Sequence, residues 1–323
     1  MSRIIKPGDP GFYINRKRWH ELNADACVGV TGHFSGRAIK PGVGVVREFG
    51  TSPNLITNVG MNALGSGGSF IRMHLGTGTA TPQFTDTGLQ NFGVNVQANN
   101  GTAVYSSASV SPWFGEVRIT WTSAVGGATG NWSEIGISNQ NTNGNLRSRA
   151  LILDQIGSPT IFPVLADEQF QGTYTFRIYA PQSDVPASIL LSSSPYSTVT
   201  RAIGVTSANA SPGNWGPSIQ EADPFIANGD NSRACTGPLV AVTDAQPAGV
   251  INNIPAGSSS AYAAGSHYRD SSYRWGSGAG VGTLRTFITA FVSARFQVEY
   301  SPTIAKLATE ELIINQRVSW ARR

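Results

Sequence analysis

The sequence predicts a mainly β protein: two tandem, related antiparallel β-sandwich-like domains preceded by an extended N-terminal arm. Three observations lead there. The 323-residue chain holds 37 Gly and 18 Pro and is only 13% charged, a composition that favours turns and pleated sheet over helix. Apolar side chains recur at alternate positions, as at Tyr174, Phe176 and Ile178, the spacing that puts side chains on one face of a strand. Finally, a stretch repeats. SPTIFPVLADEQFQGTYTFRIY from Ser158 returns as SPTIAKLATEELIINQRVSWARR from Ser301, with Leu165, Ala166, Asp167 and Glu168 set against Leu307, Ala308, Glu310 and Glu311 when one residue is dropped from the second copy. Upstream, residues 129–137 lie on 281–289, so that Trp132 meets Leu284 and Ile135 meets Phe287. The extra length of the first copy falls on Gln140 to Asn145, which reads as a hairpin tip.

Residues 1–50 read as the arm. Lys6 to Gly11 (KPGDPG) resists regular structure. The stretch that follows brings together Phe12, Tyr13, Arg16, Lys17, Arg18 and Trp19. Its functional reading is an anchor inserted into a partner protein; the alternative is a strand or short helix packed on the chain's own first domain. Val43, Val45 and Arg47 to Phe49 suggest a strand entering the first domain, 51–180. There, Leu55, Val59, Ala63 and Leu64 have helical spacing with a glycine stop at Gly65 to Gly68. A short strand at Phe70 to Leu75 follows, and Gly76 and Gly78 flank a sharp turn that Asp86 helps to close. The GTGT run invites a phosphate-loop reading, but no GK[ST] follows it. Val117, Ile119 and Trp121 share a strand face, and strands at Trp132 to Ile137, Arg149 to Leu153 and Thr173 to Tyr179 complete a sandwich, with a small barrel as the competing closure.

The segment from Asn54 to Leu89 resembles one found in tailed-bacteriophage virion proteins of the tail and tail-fibre type. The positions that match are Asn54, Leu55, Ile56, Thr57, Gly60 and Leu64, then Leu75, Gly76, Thr77, Gly78, Pro82, Asp86, Thr87 and Leu89. The similarity continues through Trp132, Glu134, Ile135 and Gly136 to Arg149, Ala150 and Leu151. It implies a structural role in a virion, for a protein made in the host cytoplasm, with no named active site to carry over.

Ala180 to Pro186 reads as a linker, and residues 187–323 as the second domain. Its stretch 209–272 is irregular and places Trp215, Tyr262, Tyr268 and Tyr273 among Ser, Gly and Asn. Such residues suit a receptor-binding surface for a host glycan, or loops packed on neighbouring subunits.

The net charge of +4 sits in the arm: residues 1–50 hold eight Lys or Arg against four acids, and the remainder fifteen of each. A neutral body argues against nucleic acid as a partner. There is no apolar run of membrane-spanning length and no hydrophobic signal core at the start, which predicts neither membrane insertion nor export. Cys27 and Cys235 read as free thiols in a reducing compartment. His20, His33, His74 and His267 have no metal-ligand or catalytic spacing, no HExxH, GxSxG or CxxC occurs, and the acidic pairs at 167–168 and 310–311 recur with the repeat, as structural surface or subunit contacts would. No metal, cofactor or catalysis is expected. The expected function is a tail-associated virion component (fibre, baseplate or collar) that forms a homo-oligomer, a trimer by preference, with other virion proteins as partners. A glycan-binding module and a head or neck decoration are the alternatives.

Overall fold

A computed structural model describes residues 19–96, 101–191, 194–206, 214–219, 224–251 and 254–323. Strands β1 (Trp19–Lys40), β2 (Gly44–Pro53) and β3 (Leu55–Ile56) lead into helix α1 (Asn58–Ser66). The first half continues with β4 (Arg72–Gly76), β5 (Phe92–Asn95), β6 (Thr102–Ser107), β7 (Phe114–Thr122), β8 (Gly130–Trp132), β9 (Glu134–Ser138), β10 (Leu146–Leu151), β11 (Phe162–Val164) and β12 (Gln169–Tyr179). The second half holds β13 (Val185–Leu191), β14 (Ser194–Ala202), β15 (Arg233–Cys235), β16 (Val250–Ile251), β17 (Ala256–Ser259), β18 (Tyr268–Trp275), β19 (Gly282–Ala290), β20 (Arg295–Lys306) and β21 (Glu311–Arg322). The protein is mainly β, as its composition predicts, and its layers stack as sandwiches.

The 22-residue β1 organises the whole. Leu22, Ala24, Ala26, Val28, Val30, Phe34 and Ala38 are buried, while Glu21, Asn23, Asp25 and Cys27 face solvent, the period of two expected for a strand with one covered face. Burying a valine such as Val28 or Val30 contributes about 1.5–3 kcal/mol. Residues 19–50, expected within the arm, are therefore β1 and most of β2.

An eight-stranded sheet runs in the order β17-β18-β21-β1-β12-β7-β6, with β2 added beside the end of β1. β12 pairs antiparallel with β1 over Gly29 to Ile39, and β21 pairs parallel with it over Trp19 to Val30. Two further sheets cover the core: β3-β10-β9-β4-β5 from the first half and β13-β14-β20-β19-β15-β16 from the second.

The sequence repeat is also a topological one. In the first half β6, β7 and β12 enter the shared sheet while β9 and β10 form a hairpin in the covering sheet; in the second half β17, β18 and β21 do the former and β19 and β20 the latter. Since β12 and β21 run in opposite directions beside β1, the halves are related as by a two-fold axis through that strand. The turns leading into β12 and β21 are built alike. Leu165 N–H donates to the Glu168 carboxylate (2.9 Å) and Glu168 N–H to the Leu165 carbonyl (3.1 Å); Leu307 and Glu310 make the same pair of bonds at 2.8 and 3.1 Å. This corrects the register: Leu-Ala-Asp-Glu matches Leu-Ala-Thr-Glu without a gap, and the extra residue of the first copy lies between SPTI and Leu165. It also corrects the surface role expected for the acids. Glu168, Glu310 and Glu311 are buried, and Asp167 alone is exposed.

The halves are not strung on a linker. One apolar cluster runs from Leu22 through Tyr174 to Trp320. Trp320 Nε1 donates to Met61 O (2.9 Å), Phe70 N to Ile219 O (2.8 Å), and Arg322 Nε to Ile56 O (2.6 Å). Within 180–186, Ala180 N donates to Trp113 O (3.0 Å) and Gln182 brackets the Trp113 backbone. The helix is as read: Thr57 caps its start by accepting from Gly60 N (3.1 Å), and Gly67 ends it at φ +78°.

Candidate functional site

Two arrangements concentrate polar chemistry. The first is a buried node. Glu134 on β9 is fully buried, and each of its oxygens accepts more than one bond: Oε1 from Gly78 N (2.9 Å) and Asn91 N (2.8 Å), Oε2 from Gln90 N (3.1 Å) and Arg149 Nε (2.9 Å). Arg149 on β10 also reaches Asp86 Oδ2 (2.7 Å) and Ala80 O (3.0 Å). Asp86 in turn accepts from Gln83 N (2.9 Å), closing the turn as expected. The node binds residues 76–91 to the β9–β10 hairpin. It also excludes the phosphate-loop reading, because the Gly78 amide that would face a phosphate is taken by Glu134. A Cβ at Gly78 would run into that carboxylate, which explains the glycine.

The second arrangement is the outward face of the shared sheet, with an open hollow on either side of β1. One, of about 600 Å³, is lined by Asn23, Asp25, Asp270, Ser272, Asn315 and Arg317 among others. Arg317 grips Asp270 through two bonds (2.7 and 2.9 Å) and lies 3.9 Å over the Tyr268 ring, and Asn315 donates to Glu21 (2.7 Å). The other hollow, of about 570 Å³, involves His33, Arg37, Glu48, Arg118, Thr120 and Thr173. Beside it Glu116 accepts from Arg118 (2.7 Å) and Arg177 (2.6 Å). Burial opposes ionisation of Glu116, but Arg177 foremost and then Arg118 hold its pKa below the ordinary carboxylate value. Carboxylates clamped in this way stay ionised and are poor proton donors near neutral pH. The face offers charge, hydroxyls and amides in rows across the strands, which suits contact with a polar partner.

The aromatic residues expected to bind a receptor do not form a common surface. Trp215 is fully buried, donating Nε1–H to Ile203 O (2.9 Å) and packing edge-on against Phe296. Tyr273 is fully buried on the inner face of β18, its hydroxyl donating to Ala290 O (2.6 Å). Both are corrections, since these rings satisfy their polar atoms inside the core despite Ser- and Gly-rich neighbours in sequence. Tyr262 stacks on Trp320 and donates to Asn62 (2.8 Å). Tyr268 alone lies on the outward face. The irregular stretch supplies β15, β16, β17 and most of β18. Of the expected anchor, Phe12, Tyr13, Arg16, Lys17 and Arg18 lie outside the described residues, and Trp19 starts β1 opposite Glu311.

Among the described residues no three His, Cys, Asp or Glu side chains gather as a metal would require, and no helix is long and apolar enough to cross a membrane. His74 is fully buried, its Nε2 bonded to Gln140 O (2.8 Å), and burial lowers its pKa to about 4. Cys27 is exposed and Cys235 buried, with burial pushing the Cys235 thiol up to about 11.

No protein family model, curated protein or solved structure matches this chain.

Proposed function

We propose that this chain is a structural subunit of a tailed-phage particle, tail-associated as a fibre, baseplate or collar component, anchored through the residues before β1 and assembled with copies of itself. The observation that carries the reading is the buried node. Gly78, Asp86, Glu134 and Arg149 are all positions at which the sequence resembles tail proteins, and they are 71 residues apart at the extremes of that set, yet they close on one another. The resemblance thus falls on side chains that depend on one another, which supports a shared structural element rather than a shared composition of turns. The fused core and the clamped charges of the outer face fit a rigid building block. Glycan recognition loses the support of Trp215 and Tyr273, which leaves Tyr268 and the hollow beside it.

The test is to express the chain in cells producing the phage whose genome encodes it, purify the particles on a density gradient and quantify the chain in them by mass spectrometry. The proposal expects a fixed copy number per particle. Recovery only in the soluble fraction, with particles complete without it, contradicts the proposal.

A further inference from the structure

The two ends of β1 differ in what they present. At the Lys40 end, the β1–β2 hairpin, the β11–β12 turn and the connection at 123–130 are tied together by Lys40–Asp167 (2.7 Å), by the ion pair of Arg47 and Glu168, and by Gly126 N to Glu168 O (2.8 Å). Each of these segments exposes an aliphatic side chain: Val43, Val45, Leu165 and Val125, with Ile156 and Ile161 on the stretch leading in. Their exposure runs from 47% at Val45 to 88% at Ile156. Exposed aliphatic side chains carried by segments that are tied together in this way mark a contact site. The same segments, 39–50, 123–130 and 151–169, hold two basic residues (Lys40, Arg47) against four acids (Glu48, Asp154, Asp167, Glu168), a net charge of −2.

The other end of β1 is where residues 1–18 join the body. Phe12 and Tyr13, followed by Arg16, Lys17 and Arg18, combine the aromatic and basic character that this acidic, aliphatic end lacks. Phe12 is seven residues from Trp19, so even fully extended it reaches only about 25 Å from the start of β1. The aliphatic end lies beyond the far end of a 22-residue strand, whose path along the chain is roughly 70 Å at about 3.3 Å per residue. Along that path Phe12 and Tyr13 fall far short of their own chain's aliphatic end, whereas those of a second copy are under no such limit.

We infer that the aliphatic end formed by Val43, Val45, Val125, Ile161 and Leu165 receives the Phe12–Arg18 segment of a neighbouring copy, so that copies join head to tail. The two surfaces are different patches, so the contact is heterologous and closes into a ring or continues as a filament. The inference deepens the oligomer part of the proposed function and rests on it; with the segment engaged between copies, only the terminal copy of a filament presents it to another virion protein.

Two full-length variants test it. Phe12→Asp with Tyr13→Asp removes the donor, and Val45→Lys with Leu165→Lys removes the acceptor; all substituted acceptor positions are exposed, and thermal melts confirm that folding is kept. By light scattering the wild-type chain is expected to be a multimer, each variant alone to fall to the 34.1 kDa of one chain, and an equimolar mixture to recover mass as a dimer and no further, because each pair keeps one intact junction. A monomeric wild type, wild-type mass in either variant, or a mixture that stays monomeric overturns the inference. Incorporation into particles is read separately. A chain that enters particles but fails the mixing test refutes only this junction, and one that passes the mixing test but is absent from particles refutes only the virion role.

Discussion

Glu134→Gln keeps the shape of the side chain at the centre of the buried node and changes its hydrogen-bond chemistry. Oε1 accepts from Gly78 N and Asn91 N, and Oε2 from Gln90 N and Arg149. Whichever oxygen becomes NH₂, it meets only donors, so rotating the amide relieves nothing. The charge that balanced Arg149 is lost as well, leaving Asp86, which is 20% exposed, as its carboxylate partner. Removing one partner of a buried ion pair costs about 3–5 kcal/mol. With a urea slope of about 3 kcal/mol per molar, the upper end for small domains, the unfolding midpoint should fall by about 1–1.7 M. Equilibrium urea unfolding followed by tryptophan fluorescence reads this directly, with Asp86→Asn as the milder comparison at about 1–2 kcal/mol. A loss below about 1 kcal/mol for Glu134→Gln, or a larger loss for Asp86→Asn, would refute the node as the element that fixes residues 76–91.

Other consequences can be measured on the same footing. His74 has a folded pKa of about 4 against an ordinary 6.5, so the unfolded chain binds the extra proton between these values. Stability from this group is complete above pH 6.5 and is lost as pH falls toward 4, by about 3 kcal/mol; urea midpoints at pH 7, 5.5 and 4 should fall less steeply in His74→Gln. With a thiol reagent at pH 8, Cys27 should react in the native protein and Cys235 only after unfolding; two fast thiols would contradict the buried position of Cys235. Glu168→Ala and Glu310→Ala should each destabilise by about 1–3 kcal/mol through their equivalent turns, and Glu168→Ala also takes from Arg47 its carboxylate partner. Gly115→Ala drives a methyl into the Trp215 carbonyl across the junction of the halves and should cost about 1–3 kcal/mol or more in thermal unfolding.

Where apolar residues are large and regularly spaced, the sequence announces the structure. Tyr174, Phe176 and Ile178 in β12, Ile314, Val318 and Trp320 in β21, and the α1 spacing closed by Gly67 all lie where periodicity puts them. β1 is harder to read because its core face uses Ala24, Ala26, Gly32, Gly36 and Ala38 as well as larger residues. Small side chains weaken the alternation, yet they are needed where Phe49 and Phe170 crowd Gly36 and where Tyr174 and Asn54 crowd Gly32. Trp215 and Tyr273 mislead for the opposite reason: their neighbours in sequence are polar, but their neighbours in space are Phe296 and Phe291. The node residues are visible as separate matches, whereas their closure depends on β4, β9 and β10 lying side by side, which no local pattern encodes. The same holds for the outward face, where Asp270 and Arg317 meet only because β18 pairs with β21.

A single strand, β1, joins both halves of the repeat into one body. Differential scanning calorimetry of the full-length chain tests it most directly, alongside Val28→Asp, which places a charge at a fully buried position where β1 is flanked by β21 and approaches β12. One cooperative transition with equal calorimetric and van't Hoff enthalpies is expected, shifted as a whole by the substitution. Two separable transitions, of which Val28→Asp moves only one, would show independent halves and contradict it.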